Sequence, residues 1–176
     1  MGPRISELVV TADPLHPQRG TLRCGDRLFA CVLGRSGIST HKHEGDGATP
    51  TGRFPLRRVL YRADRGPAPK TDLAAASIAR GDGWCDAPSD AHYNRPVTLP
   101  YPASAESMWR DDNLYDLVVV IGHNDDPVVA DAGSAIFLHV APSNGDPTAG
   151  CVALRHADLL EVLAAVGRDT TIEIRP

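Results

Sequence analysis

The chain has 176 residues, of which 42% are hydrophobic and 23% charged, the composition of an ordinary globular protein. This length suits one domain, and no linker or internal repeat is visible, so we interpret residues 1–176 as a single domain. The formal net charge is −4 and no long basic run occurs, which argues against nucleic acid as a partner. No apolar stretch approaches the roughly 20 residues that span a bilayer, so we expect no membrane span.

The N-terminal residues lack the apolar segment of a secretory signal peptide. Gly2 followed by Ser6 formally matches the N-myristoylation pattern, but Pro3 beside the acceptor glycine fits that modification poorly. We therefore expect neither a signal peptide nor a myristoyl anchor in these N-terminal residues.

Short apolar segments bounded by turn residues dominate the first third of the chain. Residues 36–52 are rich in Gly, Thr, His and Pro, and they predict an ordered loop. The turn Gly25-Asp26 predicts a hairpin between its two flanking segments. Alternation of apolar and polar residues predicts strands over 7–11, 20–24, 27–33 and 53–62.

Residues 63–112 show no sustained periodicity, and a loop of this length is unusual in a compact domain. The segment carries Trp84, Trp109, Tyr93 and Tyr101. Disordered segments are poor in aromatic residues. We therefore expect a long ordered loop that covers part of the domain as a lid.

The last third contains two apolar runs, 117–121 and 135–140, whose length and β-branched residues predict buried strands. Leucine and valine at helical spacing predict a helix over 158–166, with Gly167 at its C-terminal cap. A final strand is expected over 170–174. Together these segments predict a mainly β fold with one substantial helix.

The segment 134–154 contains the residue types of a nucleophilic site. His139 lies near the end of a predicted strand, and Gly150-Cys151 follows in the next loop. A glycine lets a substrate carbonyl approach the backbone and leaves N–H groups for an oxyanion. A neighbouring imidazole supplies the reactive thiolate. We hypothesise that Cys151 is a nucleophile and His139 its base; the alternative is a buried structural cysteine and an unrelated surface histidine.

Two motifs in this order give the chain a resemblance to a known family. The first is His139 followed by Thr148-Ala149-Gly150-Cys151-Val152-Ala153-Leu154, and the second is Thr49-Pro50-Thr51-Gly52-Arg53-Phe54. From about Val32 to Ile174 the chain resembles the L,D-transpeptidase (YkuD-type) catalytic domain. It departs from many members at Ala149 and Ala153, and resembles a divergent branch consisting of little more than that domain.

The resemblance implies a β-sandwich or mixed sheet with its helix after Cys151, and an acyl transfer on peptidoglycan stem peptides. The Cys151 thiolate would attack the carbonyl of the diamino acid at stem position three and expel D-alanine. An amine of an acceptor stem would then capture the thioester. His139 would move the protons, and N–H groups at Gly150 and Cys151 would hold the oxyanion. Neither metal nor cofactor is implied. From the substrate alone we expect the periplasm or cell envelope, and action on cytoplasmic precursors or recycled fragments is the alternative.

Seven further residues are candidates for substrate binding, each with loop packing as the alternative. His123 and Asn124 follow a predicted buried strand and could line the same pocket or orient His139. The long loop offers rings, an amide and a guanidinium that suit a peptide with carboxylates. The candidates are His123, Asn124, Thr148, Tyr93, Asn94, Arg95 and Trp84.

The other cysteines and two histidines are weaker candidates. Cys85 is a rival nucleophile, but it lacks a glycine-backed oxyanion arrangement. Cys24 and Cys31 flank a probable turn, so a disulfide and two buried free thiols both remain open. His41 and His43 lack the spacing of a helical zinc pair, and we expect them on a solvated loop.

Two other functions remain alternatives at this stage. Water could hydrolyse the same thioester, which would make the protein an L,D-carboxypeptidase or a peptidoglycan amidase. A non-catalytic peptidoglycan-binding module would be expected to lose the cysteine or the histidine, and both are present.

Overall fold

A computed structural model gives the fold of residues 4–176, so Gly2 of the myristoylation pattern lies outside the described residues. Within this range the chain forms 14 strands and one α-helix. In chain order they are β1 Ile5–Ala12, β2 Arg19–Cys24, β3 Arg27–Val32, β4 Ile38–Ser39, β5 Thr49–Pro50, β6 Gly52–Tyr61, β7 Ala75–Ser77, β8 Asp82–Cys85, β9 Pro96–Thr98, β10 Ala105–Ser107, β11 Leu117–Ile121, β12 Phe137–Val140, β13 Val152–Leu154, α1 His156–Ala165 and β14 Val166–Arg175.

Nine of these strands form one mixed sheet in the order β11-β12-β13-β3-β2-β1-β14-β6-β7. β11 also pairs antiparallel with β6, so the sheet closes on itself as a barrel, and β7 pairs with the far end of β6. The pairs β1–β14 and β12–β13 are parallel, whereas β2 and β3 form the expected antiparallel hairpin. The prediction of a mainly β fold with a mixed sheet and one helix is confirmed.

Side chains along β11 and β12 alternate between the two faces of this sheet. One face, with α1, packs into an aliphatic cluster that includes Leu8, Leu22, Val119, Leu138, Val152 and Leu159. The other face carries a smaller aromatic cluster of Trp84, Met108, Tyr115, Val118, Val120 and Phe137, together with Ile78 and Cys151. The candidate nucleophile therefore belongs to the aromatic face.

Within the segment 63–112, residues from Ile78 to Trp109 cover this aromatic face, and the segment is more regular than its sequence suggests. β8 pairs antiparallel with β9 on one side and β10 on the other, which makes a separate three-stranded sheet. Trp84 packs edge-to-face on Phe137, with ring centroids 5.1 Å apart. The aromatic residues thus hold the small sheet against the barrel.

The helix α1 differs from its prediction at its C-terminal end. Val166 already has extended backbone angles, φ −84° and ψ 158°, and begins β14 without a turn. The expectation that Gly167 caps the helix is wrong, because Val166 already pairs with Ile5 of β1; after a register shift the parallel ladder resumes at Glu7 and Thr171. No helix within residues 4–176 is long and apolar enough to cross a membrane.

Candidate active site

Cys151 and His139 lie on neighbouring parallel strands at one end of the barrel. In the register of β12 and β13, Leu138 is paired with Val152 and His139 with Ala153. Cys151, directly before β13, therefore lies beside Phe137 and projects from the same face as His139. Both side chains line one cavity of about 500 Å³. The structure thus brings together the thiol and imidazole that the sequence pointed to.

The turn before Cys151 depends on Gly150 and Thr148. Gly150 has φ 141°, and a Cβ there would lie 2.8 Å from the carbonyl oxygen of Ala48, so a side chain is excluded. The Thr148 hydroxyl donates to the Cys151 carbonyl at 2.6 Å and accepts the Gly150 N–H at 3.1 Å. The Gly150 N–H is therefore engaged and not free for an oxyanion, which corrects that expectation.

The upstream motif supports this turn from the other side. The Asp46 carboxylate accepts the Ala48 N–H at 2.8 Å, and the Thr49 hydroxyl accepts the Gly34 N–H at 2.9 Å. These bonds fix the backbone on which Gly150 packs. The Cys151 N–H has no hydrogen-bond partner within residues 4–176, so it is the backbone donor left beside the sulfur.

The thiol of Cys151 is held in its protonated form. It donates to the Ala135 carbonyl at 3.2 Å, and its sulfur accepts the Phe137 N–H at 3.3 Å. Burial raises the pKa of Cys151 to about 12, and the nearby Glu106 carboxylate adds to this effect. A thiolate is therefore disfavoured until something in the site changes.

The imidazole of His139 is neutral and oriented. Its Nδ1–H donates to the Val140 carbonyl at 2.8 Å, which leaves Nε2 as an acceptor. Burial lowers the pKa of His139 to about 4. The Tyr115 ring lies edge-to-face on the imidazole, with centroids 5.3 Å apart. A neutral ring with one free nitrogen suits a general base.

A family profile for the L,D-transpeptidase catalytic domain, YkuD, matches residues 18–174. The chain belongs to this family. Its members are cysteine-based L,D-transpeptidases, and the family acts on peptidoglycan.

The structure is also similar to the crystal structure of Mycobacterium tuberculosis L,D-transpeptidase 1, at 14% sequence identity and a TM-score of 0.41. The match covers 97% of this chain and 60% of that chain, so the chain spans about 60% of the length of that protein. No curated protein sequence matches the chain.

In this member of the YkuD family, two proposed substrate-binding residues lie behind the site. The buried Asn94 oxygen accepts the Trp84 indole N–H at 2.9 Å and the Ala135 N–H at 3.0 Å. The Asn94 amide donates to the carbonyls of His123 and Asn124. Because these polar groups are already paired, Trp84 and Asn94 support the site, and Asn94 positions the carbonyl that accepts the thiol.

Two more candidates from the covering segment bond to loops beside the cavity. The Tyr93 hydroxyl donates to Glu44 at 2.5 Å and accepts the Gly133 N–H at 3.0 Å. Burial and this carboxylate raise the pKa of the Tyr93 phenol. Arg95 is exposed and donates to the carbonyl of Asp125 at 2.8 Å. Neither side chain lines the cavity that holds Cys151.

The two candidates after β11, His123 and Asn124, form hydrogen bonds with the backbone of the loop that follows them. His123 contacts the Ala132 carbonyl at 2.9 Å through Nε2 and stacks edge-to-face on Phe54. Asn124 bonds with both the N–H and the carbonyl of Val129. Neither orients His139, whose Nδ1 is bonded to the backbone. Thr148 does line the cavity, as does its neighbour Ala149.

The remaining cysteines are free and buried. Cys85 lies on β8 outside the cavity lining, and burial raises the pKa of its thiol, which weakens it as a rival nucleophile. On the β2–β3 hairpin Cys24 pairs with Arg27, whereas Cys31 pairs with Gly20, so the two thiols lie at different positions of the ladder. The structure has the two free thiols, not the disulfide.

The histidines of the glycine-rich loop are exposed, as expected. His41 contacts the Thr40 hydroxyl through Nδ1 at 2.9 Å, and His43 lies 3.9 Å from the carboxylate of Asp131. Across residues 4–176, no group of three His, Cys, Asp or Glu side chains comes together in a way that could hold a metal ion.

Several residues of the cavity were not found from the sequence, among them Tyr115, Glu106 and Ser134. Tyr115 donates to Glu106 at 2.6 Å, and both line the cavity with Ser134. Glu106 lies in a segment without periodicity, and its direction is set by pairing with β8, which no local pattern reveals. Ser134 offered a signal, since it opens the segment that carries His139.

Proposed function

We propose that the protein is an L,D-transpeptidase that cross-links peptidoglycan stem peptides through a thioester on Cys151. One observation carries this proposal: in a YkuD family member, the Cys151 thiol and the His139 ring line the same cavity from adjacent parallel strands. The free Nε2 of His139 and the free N–H of Cys151 supply the base and the oxyanion donor that acyl transfer needs.

The first chemical step joins proton transfer to nucleophilic attack. With pKa values near 12 and 4, the thiol and the imidazole both stay neutral in the resting site. When a donor carbonyl enters, the thiol proton leaves the Ala135 carbonyl and passes to Nε2 as sulfur bonds to the carbonyl carbon. The carbonyl electron pair moves onto its oxygen, which accepts the Cys151 N–H.

Collapse of this intermediate releases D-alanine. The carbon–nitrogen bond breaks, and the leaving amine takes the proton that His139 holds on Nε2. The thioester that remains on Cys151 is then attacked by the amine of an acceptor stem, whose proton returns through His139 to the departing sulfur. Thr148 borders this path and is our candidate for a substrate contact, while Gly150 shapes the turn.

The substrate would be the stem tetrapeptide of peptidoglycan, with an amine of a second stem as acceptor. The family acts on peptidoglycan, and this implies the cell envelope. We accordingly propose that the protein works in the periplasm or cell envelope.

The decisive experiment is mass spectrometry of the products formed from a disaccharide-tetrapeptide, with wild type and Cys151→Ala in parallel. We expect a cross-linked dimer that disappears in the variant. Tripeptide with free D-alanine and no dimer would replace the proposal with an L,D-carboxypeptidase. Absence of any Cys151-dependent product, from this substrate and from a pre-cross-linked one, would overturn an enzymatic function at this site.

A further inference from the structure

The cavity that holds Cys151 has an acidic side formed by the small covering sheet. In the register of β8 and β10, Glu106 is paired with Trp84, and the Asp86 N–H bonds to the Ser104 carbonyl at 3.2 Å. Because side chains alternate along a strand, Trp84, Asp86 and Glu106 point to one face of the small sheet. That face is the one packed against the barrel, and Asp86 and Glu106 both line the cavity.

Two polar atoms in this part of the cavity lack a hydrogen-bond partner. They are Oδ1 of Asp86 and Oγ of Ser134, both buried. Ser134 is only 8% exposed, and it lines the cavity opposite the small sheet, next to the Ala135 carbonyl that accepts the thiol. A buried hydroxyl and a buried carboxylate oxygen without partners are costly unless a ligand satisfies them.

Three cations line the cavity, Arg35, Lys42 and Arg110, and each bonds to another partner. Lys42 forms its ion pair with Asp46, and Arg110 makes a bidentate pair with Asp112, its nearest bond being 2.6 Å. Arg110 lies 3.9 Å from Glu106, at the limit of an ion pair. Among the described residues, Glu106 therefore has only this long ion pair, and Asp86 has none.

We propose that Asp86, Glu106 and Ser134 form a subsite for a protonated primary amine of the donor peptide. This inference rests on the proposed function and assigns part of its substrate specificity. An ammonium group offers three donors, which match the Asp86 carboxylate, the free acceptor capacity of Glu106 and the Ser134 hydroxyl. This amine belongs to the side chain of the diamino acid at stem position three, the residue whose carbonyl is attacked.

The choice of the donor's own amine follows from the charge of the subsite. Two carboxylates stabilise the ammonium form, and an ammonium has no lone pair for attack on a thioester. The subsite therefore suits an amine that is recognised and does not react. Binding of a cation also offsets the effect of Glu106 on the thiol, whose pKa that carboxylate helps to raise. Binding of an amine-bearing donor would thus favour ionisation of the Cys151 thiol that attacks it.

The test compares two donor tetrapeptides that differ by one group. One carries the free side-chain amine at its third residue, and the other has hydrogen in its place. We expect the wild type to release D-alanine from the amine-bearing peptide with kcat/KM roughly 10- to 100-fold higher, the range for hydrogen bonds to a charged group. Glu106→Gln and Asp86→Asn should remove most of this preference, so that each variant releases D-alanine from the two peptides at similar rates.

Glu161→Gln is the matched control, because it removes one carboxylate charge from the exposed face of α1. It should keep the full preference. A wild type that treats both peptides alike, or variants that slow both peptides equally, would overturn the subsite. The desamino peptide also reports misfolding, since a variant that does not fold loses activity on both.

A binding readout separates failure of the subsite from failure of the proposed function. If the wild type makes no product from either peptide, the function is wrong, and protection of Cys151 from iodoacetamide then tests the subsite alone. The amine-bearing peptide should protect at concentrations at least roughly 10-fold lower than the desamino peptide in wild type, and not in Glu106→Gln. Equal protection by both peptides contradicts the inference.

Discussion

The two faces of the barrel sheet are built from different side chains. The aliphatic cluster against α1 consists almost wholly of Leu, Val and Ile. The aromatic cluster under the small sheet is smaller and contains Cys151, and it borders on His139 and Glu106. One face provides most of the apolar burial, and the other provides groups whose pKa values burial can shift. The strands β11 and β12 each contribute side chains to both faces.

This arrangement separates stability from reactivity along one strand. Leu138 and Phe137 are neighbours on β12, both fully buried, and they point to opposite faces. The titratable groups of the cavity sit in a low-dielectric layer only one side chain away from the main core. The aliphatic core thus fixes the positions of the strands, whereas the layer that covers the other face sets the protonation states of the cavity residues.

The largest expected effect is the loss of unfolding free energy when one large side chain is truncated on each face of the sheet. Leu138→Ala should cost about 2–5 kcal/mol of unfolding free energy and Phe137→Ala about 3–5 kcal/mol, because each leaves a cavity. Only Phe137→Ala should also speed alkylation of Cys151, since its ring packs beside the thiol. Urea unfolding and peptide mass spectrometry after iodoacetamide treatment measure the two quantities.

Cys31 provides the internal control for this pair of variants. Its thiol is buried in the aliphatic cluster, away from the small sheet, so its alkylation reports opening of the main core. The ratio of Cys151 to Cys31 alkylation should not rise in Leu138→Ala and should rise in Phe137→Ala. An equal rise in both variants would mean that the two faces are not independent.

The second effect is a dependence of stability on pH that belongs to the aromatic face. Burial lowers the pKa of His139 from 6.5 to about 4, so the unfolded chain binds the proton first as pH falls below 6.5. Stability therefore declines between these two pH values, by on the order of 3 kcal/mol, and is fully present above them. In His139→Gln this part of the decline should be absent.

Thermal unfolding of wild type and His139→Gln at several pH values between 4 and 7 checks this. The difference in unfolding free energy between the two proteins should shrink steadily as the solution is acidified. A constant difference would show that the imidazole titrates normally and is not held neutral by its surroundings.

Much of the fold was accessible from the sequence because it is encoded locally. The turn Gly25-Asp26 and its flanking alternation specify the β2–β3 hairpin, and the apolar run of β11 matches its prediction residue for residue. The nucleophile and base were found because both stand in a short motif at the end of a strand. Leucine spacing likewise located α1 to within two residues at either end.

What the sequence did not reveal depends on contacts between distant segments. The small sheet consists of strands of three or four residues, and these carry no periodicity that a local pattern could show. Glu106 faces the thiol only because β10 pairs with β8. Asn94 looked like a ligand contact, but its side chain bonds the backbone on which the thiol rests. The prediction that Gly167 caps the helix was wrong because Val166 pairs with β1 and begins a strand.

The third effect concerns the support that Asn94 gives to the aromatic face. Asn94→Ala removes the partners of the Trp84 indole and the Ala135 N–H and leaves them buried, at a cost of about 1–3 kcal/mol. Because Ala135 holds the thiol proton, alkylation of Cys151 should also change. Asn144→Ala, on an exposed loop, should change stability by less than about 0.5 kcal/mol. Identical behaviour of the two variants in urea would contradict the supporting role.

The smallest expected effect is the change in unfolding free energy on neutralising a carboxylate, either Glu106 in the cavity or Glu161 on the surface of α1. Burial raises the pKa of Glu106, so its ionised form is disfavoured in the folded protein, and stability is lost as pH rises through that pKa. Glu106→Gln keeps an acceptor for Tyr115 and should therefore be more stable than wild type at neutral pH, with the two proteins converging in acid. Glu161→Gln on α1 should shift the unfolding free energy by less than about 0.5 kcal/mol at any pH, since its pair with Arg27 is exposed.

A Glu106→Gln protein less stable than wild type at neutral pH would mean that the carboxylate belongs to the packing of the small sheet. A gain in stability combined with loss of preference for the amine-bearing donor would show a charge kept in the aromatic face for recognition, at a cost in stability.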